Sequence, residues 1–371
     1  MFASVQSLSA SRLQKLNTEH FDVVVIDEFH HAQAPTYKAL LDHLQPQELL
    51  GLTATPERGD GENVQKYFDY RVAHELRLWD ALRLQLLVPM HYYGIADGTD
   101  LSSLTWSRGK KDYNTEELSE FYIKAGEKRT RFIVSELNRR IFDLSDMKAI
   151  GFCVTIAHAE YMARQFQQFG IPARAVTSDL TATERAQAIK DLETGDVKVL
   201  FSVDIFNEGV DIPAVNTLLL LRPTQSPVVF LQQLGRGLRL SPGKDSCVIL
   251  DFIGQQHVDF DFERKFHALT RKRGKRLAEE IEQGFPTTPP GSHIQFDQTT
   301  TEQVLRNVKK ASRNSLRKVR ALLSEIRTTN LKEFLEDSNL QLEDIYRPSK
   351  YSWGQVLGSG VSVFESGVSF M

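Results

Sequence analysis

The stretch Asp22-Val23-Val24-Val25-Ile26-Asp27-Glu28-Phe29-His30 decides how the chain folds. Four consecutive β-branched residues without polar alternation predict a strand buried on both faces, as in a parallel sheet. Working outward, similar short runs recur at Phe2–Val5, Leu49–Thr53, His91–Gly94, Lys148–Val154, Ala173–Val176, Val197–Ser202, Thr217–Leu221 and Ser246–Asp251. Between them, stretches such as Ala157–Phe169 and Thr183–Leu192 carry apolar residues at helical spacing. Alternating strands and helices make an α/β, doubly wound architecture the expectation.

The chemistry gathers at the strand ends. Asp27 and Glu28 fall at the carboxyl end of the first quoted strand, where open α/β sheets place their ligands. Adjacent carboxylates suit Mg²⁺ carrying phosphate oxygens, one acid holding the ion and the other polarising a water. The same pair also fits a strand that simply ends in solvated acids before a helix N-terminus. A second strand ends in Gly51-Leu52-Thr53-Ala54-Thr55-Pro56, whose hydroxyls can relay hydrogen bonds or merely make a turn.

Farther on, Phe201–Pro213 reads F-S-V-D-I-F-N-E-G-V-D-I-P, with Gly209 permitting a tight turn and Asp211 projecting from a loop pinned by Pro213. Then Gln232–Arg239 reads Q-Q-L-G-R-G-L-R. Arginines three apart on a helix share a face, and each guanidinium fork matches phosphate oxygens. Surface salt bridges are the plainer use of such a pair. Two glycines around Arg236, however, are costly in a helix unless something approaches closely.

D-E-F-H followed by T-A-T-P resembles motifs II and III of the superfamily 2 helicases, in the D-E-x-H branch. Ile150–Ala157, Phe201–Pro213 and Gln232–Arg239 are similar to motifs IV, V and VI of the second lobe. The resemblance covers about residues 1–255 and implies tandem RecA-like P-loop NTPase lobes using ATP and Mg²⁺. It implies that Asp27 helps hold Mg²⁺, Glu28 positions water and His30 couples nucleotide state to the lobe interface. Thr53 and Thr55 would link hydrolysis to strand movement. Gly209 and Asp211 would touch nucleotide and ribose, Gln232 the phosphate side, and Arg236 and Arg239 would act as arginine fingers. The phrases Glu75–Leu87, His91–Asp100 and Leu104–Gly109 look more narrowly like bacterial helicases related to type III restriction subunits. In that group a nuclease domain often precedes the helicase and a domain of unknown function follows it; no nuclease motif is present here.

Composition narrows the classes. The 371 residues carry net charge −3 and two cysteines, too few for a disulfide-stapled secreted scaffold. The longest purely apolar runs, such as Leu218–Leu221, fall far short of the roughly 20 residues a membrane span needs. No signal peptide is read at the start, so a soluble protein of the cytoplasm is expected. The near-neutral sum hides an asymmetry: residues 256–350 hold 18 Lys+Arg against 14 Asp+Glu, while 1–255 are acidic. At about 100° per residue, Arg306, Lys309, Lys310, Arg313, Arg317 and Arg320 fall on one face of a helix. That face suits phosphate contact, or is simply solvated.

The organisation expected is therefore the back half of a first RecA-like lobe (1–75), a linker or insertion (76–145) and a second lobe (146–255). A basic, mostly helical region (256–350) and a poorly structured tail (351–371) follow. A Walker A loop, G-x-x-x-x-G-K-S/T, occurs nowhere in the chain. Only 21 residues precede the strand of Asp22, and a βαβ unit takes roughly 30, so the first lobe is expected to begin mid-fold. The expectation is part of an ATP-dependent helicase or translocase, with nucleic acid as partner, DNA favoured over RNA. It would be inactive alone, and other subunits or an upstream nuclease domain are conceivable partners. A catalytically dead nucleic-acid-binding or regulatory module, or a subunit of a restriction system, are the alternatives.

Overall fold

The computed structural model describes residues 2–8, 10–29, 32, 34–53, 67–69, 71–107, 109, 112–203, 212–311, 316–326, 328–338, 345–346 and 352–358. The chain folds as two compact units, one of residues 1–75, 315–337 and 342–371, the other of 76–314 and 338–341.

In the first unit, a 3₁₀ turn (Val5–Ser7) and a short helix α1 (Ala10–Leu13) lead into strand β1 (Val23–Ile26). Helix α2 (Pro35–His43), opened by Pro35 at its first position, then returns the chain to strand β2 (Glu48–Gly51). The two strands pair in parallel, Val23 beside Glu48 through Ile26 beside Gly51. Leu13, Ile26, Phe29, Ala32 and Leu40 form the core of this unit. Two expectations are corrected here. Phe2–Val5 is not a strand, and Phe2 is fully exposed. β1 is buried on one face only: Val23 and Val25 are 59% and 54% exposed, because no further strand or helix covers that face among the described residues.

The second unit is built on a seven-stranded parallel sheet. Helix α3 (Leu78–Arg83) precedes β3 (Met90–Asp100), the hairpin β4 (Trp106–Ser107) and β5 (Asp112–Tyr113), and the long helix α4 (Thr115–Arg140). There follow β6 (Ala149–Phe152), α5 (Ile156–Gln168), β7 (Ala173–Val176), α6 (Ala182–Thr194), β8 (Val199–Ser202), β9 (Thr217–Leu220), α7 (Pro227–Leu238) and β10 (Cys247–Gln255). Helices α8 (Phe262–Thr270) and α9 (Gly274–Glu282), strand β11 (His293–Phe296) and helix α10 (Gln298–Ala311) complete it. The strand order is β11-β3-β10-β9-β6-β8-β7.

Successive side chains of the inner strands enter opposite cores, which is why their sequences are continuously apolar. Leu218, Leu220 and Ile249 join the layer of α7, α8 and α9, while Leu219, Leu221 and Leu250 join that of α4 and α5. Local signals set the helix starts. Thr155 caps α5, Thr181 and Glu184 form a reciprocal capping box on α6, and Ser226 with Pro227 opens α7.

The compact unit does not follow the expected division of the chain. Residues 76–145 supply β3, next to β10, and α4, which packs on α5; residues 256–311 supply α8, α9, α10 and the edge strand β11. The reason is burial: Met90, Tyr92, Phe262, Phe266 and Ile294 fill the same core as the strands of 146–255. Helices α11 (Leu316–Ile326), α12 (Leu331–Ser338) and α13 (Trp353–Leu357) belong to the first unit, where the Trp353 ring lies tilted against Phe334 with centroids 5.0 Å apart.

Candidate functional site

In the first unit, the pairing of β1 and β2 continues past the last strand residues. Leu52 N–H donates to the Ile26 carbonyl at 2.9 Å, and Phe29 N–H donates back to the Leu52 carbonyl at 2.8 Å. The two strand ends carrying Asp27-Glu28 and Thr53 are thereby joined. Behind them, the Phe29 ring lies against Gly51, where a Cβ would meet it at 2.8 Å. Asp27 is exposed and Glu28 half-buried. The Glu28 N–H donates to Asp27 Oδ1 at 2.8 Å, and Glu28 sits at φ +50°, a left-handed conformation uncommon for a non-glycine residue. Thr53 is half-buried. His30 and Thr55 lie outside the described residues.

The donor set suits Mg²⁺. That ion is bound through one or two carboxylates together with waters and phosphate oxygens rather than by a closed protein cage. Asp27 offers an exposed carboxylate beside a second one, and no cluster of three or more His, Cys, Asp or Glu occurs among the described residues. When bound, Mg²⁺ supplies charge neutralisation of phosphate oxygens.

In the second unit, the chain runs from β6 outward to β7, back to β8, and then across to β9 on the other side of β6. This reversal makes the carboxyl ends of β6, β8 and β9 a switch-point crevice. Cys153 N–H donates to Ser202 O at 2.7 Å and Leu221 N–H to Phe152 O at 3.1 Å, tying the three ends together. Thr155 Oγ1 lies 2.5 Å from Ser119 Oγ of α4. Gly209 and Asp211 lie outside the described residues; Ile212 and Val215, just beyond, are buried anchors.

Gln232 and Arg236 are half-buried on α7. The side-chain amide nitrogen of Gln232 and the amide oxygen of Gln233 are buried without a hydrogen-bond partner. The helix ends at Leu238, and Arg239 is its C-cap with extended backbone (φ −64°, ψ 143°). Arg236 and Arg239 therefore do not share a helix face as their spacing predicts. The flanking glycines divide as well. A Cβ on Gly237 would meet Cys247 Sγ at 2.5 Å and Leu218 at 2.9 Å, whereas one on Gly235 meets nothing within 4 Å.

The basic face is corrected too. α10 ends at Ala311, and Arg317 and Arg320 stand on the separate helix α11 of the other unit, so the six residues do not line one helix. Arg306, Lys309 and Lys310 are exposed on α10 while Val304 and Val308 face its core; Lys309 is paired with Glu282 at 2.6 Å. Arg320 Nε donates to Val356 O at 3.2 Å. Arg313 lies outside the described residues.

Two buried polar clusters have no sequence signature. Asp251, in the middle of β10, accepts from both Lys265 of α8 and Tyr92 of β3. The Lys265 ammonium also lies 4.9 Å over the Phe230 ring, which fixes α7 against the sheet. Beneath the β6 end, Arg129 Nε donates to Asp97 Oδ2 at 2.9 Å with both side chains buried, and its guanidinium covers Tyr122 at 3.9 Å. His158 stacks on Tyr122, and its Nδ1 accepts from Val154 N–H at 3.3 Å. Burial, aided by the Arg129 charge, brings the His158 pKa down to about 3, so the ring is neutral.

Residues 1–58 match the family model "Type III restriction enzyme, res subunit", and residues 132–241 match "Helicase conserved C-terminal domain". The chain belongs to the superfamily 2 helicases of the Res-subunit type. It is 31% identical over 271 residues to IRC3 of Saccharomyces cerevisiae, named as an ATP-dependent helicase, covering 69% of this chain and 37% of that one. To the mitochondrial irc3 of Schizosaccharomyces pombe, named likewise, it is 32% identical over 266 residues, covering 67% and 41%. This helicase-family chain thus spans well under half the length of those two relatives. Among solved structures it is similar to the DNA-bound Type ISP restriction-modification enzyme LlaBIII (TM-score 0.56, 16% identity, 92% of this chain and 27% of that one). It is also similar to a fragment of a type I restriction HsdR subunit from Vibrio vulnificus (TM-score 0.51, 21% identity, 65% and 45%). These likenesses show the fold, tandem RecA-like α/β lobes.

Proposed function

We propose that this chain is part of an ATP-dependent translocase or helicase acting on DNA, coupling hydrolysis in a RecA-like pair of lobes to movement along a strand. The observation that carries the reading is the junction of the two strand ends through Phe29 N–H and Leu52 O, which holds Asp27, Glu28 and Thr53 in one place. In this reading Asp27 holds Mg²⁺, Glu28 orients the attacking water, and Thr53 and Thr55 with His30 pass the nucleotide state onward. Gly209, Asp211 and Gln232 serve the nucleotide from the second lobe, and Arg236 and Arg239 stabilise charge on the transferring phosphate. DNA is preferred because a structural neighbour was solved bound to it and a relative from Sulfurisphaera tokodaii, 22% identical, is named a DNA 3'-5' translocase. Arg306, Lys309 and Lys310 add backbone contacts, with Arg313, Arg317 and Arg320 as further candidates.

The chain holds no G-x-x-x-x-G-K-S/T, so we propose that it turns over ATP negligibly by itself and works with a Walker A segment or subunit carried elsewhere. An ATPase assay with and without single-stranded DNA tests this. Near-background rates are expected; turnover that Glu28→Gln abolishes would overturn the claim of inactivity. Among the described residues no helix is long and apolar enough to cross a membrane, and Cys153 and Cys247 are buried free thiols. The free thiols suit the reducing cytoplasm proposed for the chain.

A further inference from the structure

The connection between α8 and α9 is short and basic. From Arg264 to Ala278 the chain holds seven Lys or Arg and no Asp or Glu, and five of them fall in Arg271-Lys272-Arg273-Gly274-Lys275-Arg276. Arg271 closes α8, its N–H donating to His267 O at 2.8 Å, and Arg273 is the residue from which α9 starts. The corner is held firmly. Lys272 N–H donates to Thr270 Oγ1 at 3.1 Å, Gly274 N–H donates to Glu263 Oε1 at 3.3 Å, and Lys272 Nζ pairs with Glu280. Arg271, Lys275 and Arg276 are exposed, and Lys272 and Arg273 are half-buried.

Local stability favours other residues at these places. The left-handed residue that closes a helix is most often Gly or Asn, yet Arg271 holds φ +57°. An N-cap is most often Ser, Thr, Asp or Asn, yet Arg273 stands there and its side chain makes no capping bond. The first turn of a helix favours acids, because the dipole is positive there; that of α9 has none and carries Lys275 and Arg276. The Lys275–Glu279 pair, 3.4 Å apart and about half exposed on both sides, offsets little of this in water. Arg273 Nε is buried without a hydrogen-bond partner. Residues that break several local rules together without a gain in folding mark a functional surface.

The chemistry that relieves such a corner is anionic, and guanidinium forks match phosphate oxygens. Five cations over two helix ends exceed what one phosphate group neutralises. α10, which packs against both helices, adds exposed Arg306, Lys309 and Lys310 to the same layer. The ligand that fits is a polyanion with repeating phosphates.

We infer that the corner Arg271–Arg276 between α8 and α9 is a nucleic-acid contact of this chain, gripping the phosphate backbone away from the motif-bearing strand ends. This rests on the reading of the chain as a nucleic-acid motor and adds a contact to it.

The test is fluorescence anisotropy of a fluorescein-labelled oligothymidylate with the full chain over a salt series. The variant Arg271→Gln/Lys275→Gln/Arg276→Gln should bind about 10- to 100-fold more weakly near 0.1 M salt. Its log K against log salt slope should be shallower by about 2, at roughly 0.7 for each phosphate no longer neutralised. A control of equal net charge, Lys124→Gln/Lys128→Gln/Arg131→Gln on the exposed face of α4, should stay within about twofold of the wild type. Unchanged affinity and slope in the corner variant, or an equal loss in the α4 control, overturn the corner assignment alone. Displacement of the oligonucleotide by polyglutamate at equal charge concentration overturns it in favour of an acidic protein partner. Absence of wild-type binding overturns the motor reading with it.

Discussion

The ring of Phe29 lies so close over the α-carbon of Gly51 that no other residue fits at position 51 without displacement. A Cβ there would meet Phe29 at 2.8 Å and Phe68 at 2.6 Å. This packing places the acid-bearing turn after β1 on the end of β2, and the two cross-strand hydrogen bonds at Leu52 complete the junction. Gly51→Ala should therefore loosen the first unit by about 1–3 kcal/mol, the usual cost of overpacking. Hydrogen exchange followed by mass spectrometry should show faster exchange in peptides spanning 23–52 and none of that change in β6, β8 and β9. Uniform protection would show that the rings accommodate the methyl.

Gly235 and Gly237 differ in the same way across one turn of α7. Gly237→Ala drives a methyl into Cys247 and Leu218 and should lower stability by about 1–3 kcal/mol. Gly235→Ala meets open space in a helix and should raise it by up to about 1 kcal/mol. Urea denaturation of the two variants side by side gives opposite shifts in midpoint; equal shifts would contradict the packing.

Lys265 is the buried partner of Asp251, and Lys265→Met leaves the carboxylate without its cation. A destabilisation of about 3–5 kcal/mol is expected. Adding Asp251→Asn should recover part of it, because the residues touch and their effects are coupled. Additive effects in this double-mutant cycle would separate the two side chains.

His158 gives a pH dependence of known sign. Its folded-state pKa, about 3, lies below the ordinary value of 6.5, so the unfolded chain binds the extra proton. Its contribution to stability is complete above about pH 6.5 and is lost as pH falls from there toward 3, by up to about 1.4 kcal/mol per pH unit. Relative to wild type, His158→Gln should remove this slope between pH 6.5 and 4.5. Parallel stability profiles for the two proteins would contradict a buried neutral ring.

The strands of 146–251 were legible because both faces are buried and their sequences are continuously apolar. β1 looked the same in sequence yet exposes Val23 and Val25, since apolar runs report preference and not the presence of a covering layer. Residues 76–145 read as a linker or insertion because Gly94, Gly98 and polar neighbours mask an eleven-residue strand. Gly94 is there for close approach, its would-be Cβ lying 2.6 Å from the Phe296 ring at the end of β11. The roles proposed for Asp27, Glu28, Gln232 and Arg236 come from motif resemblance alone. The buried Asp251–Lys265 and Asp97–Arg129 pairs were invisible, because their partners lie 14 and 32 residues apart with no fixed spacing to betray them.

We propose that this chain supplies the water-orienting acid and the arginines of a DNA-driven ATPase whose phosphate-binding loop is carried elsewhere. The most direct measurement is DNA-stimulated ATP hydrolysis by the chain fused behind a Walker A segment from one of its helicase relatives. Turnover should rise with single-stranded DNA and fall by about 10³-fold or more in Arg236→Ala if that side chain acts as an arginine finger, with Glu28→Gln inactive as well. Hydrolysis unaffected by Glu28→Gln and Arg236→Ala would contradict the proposal.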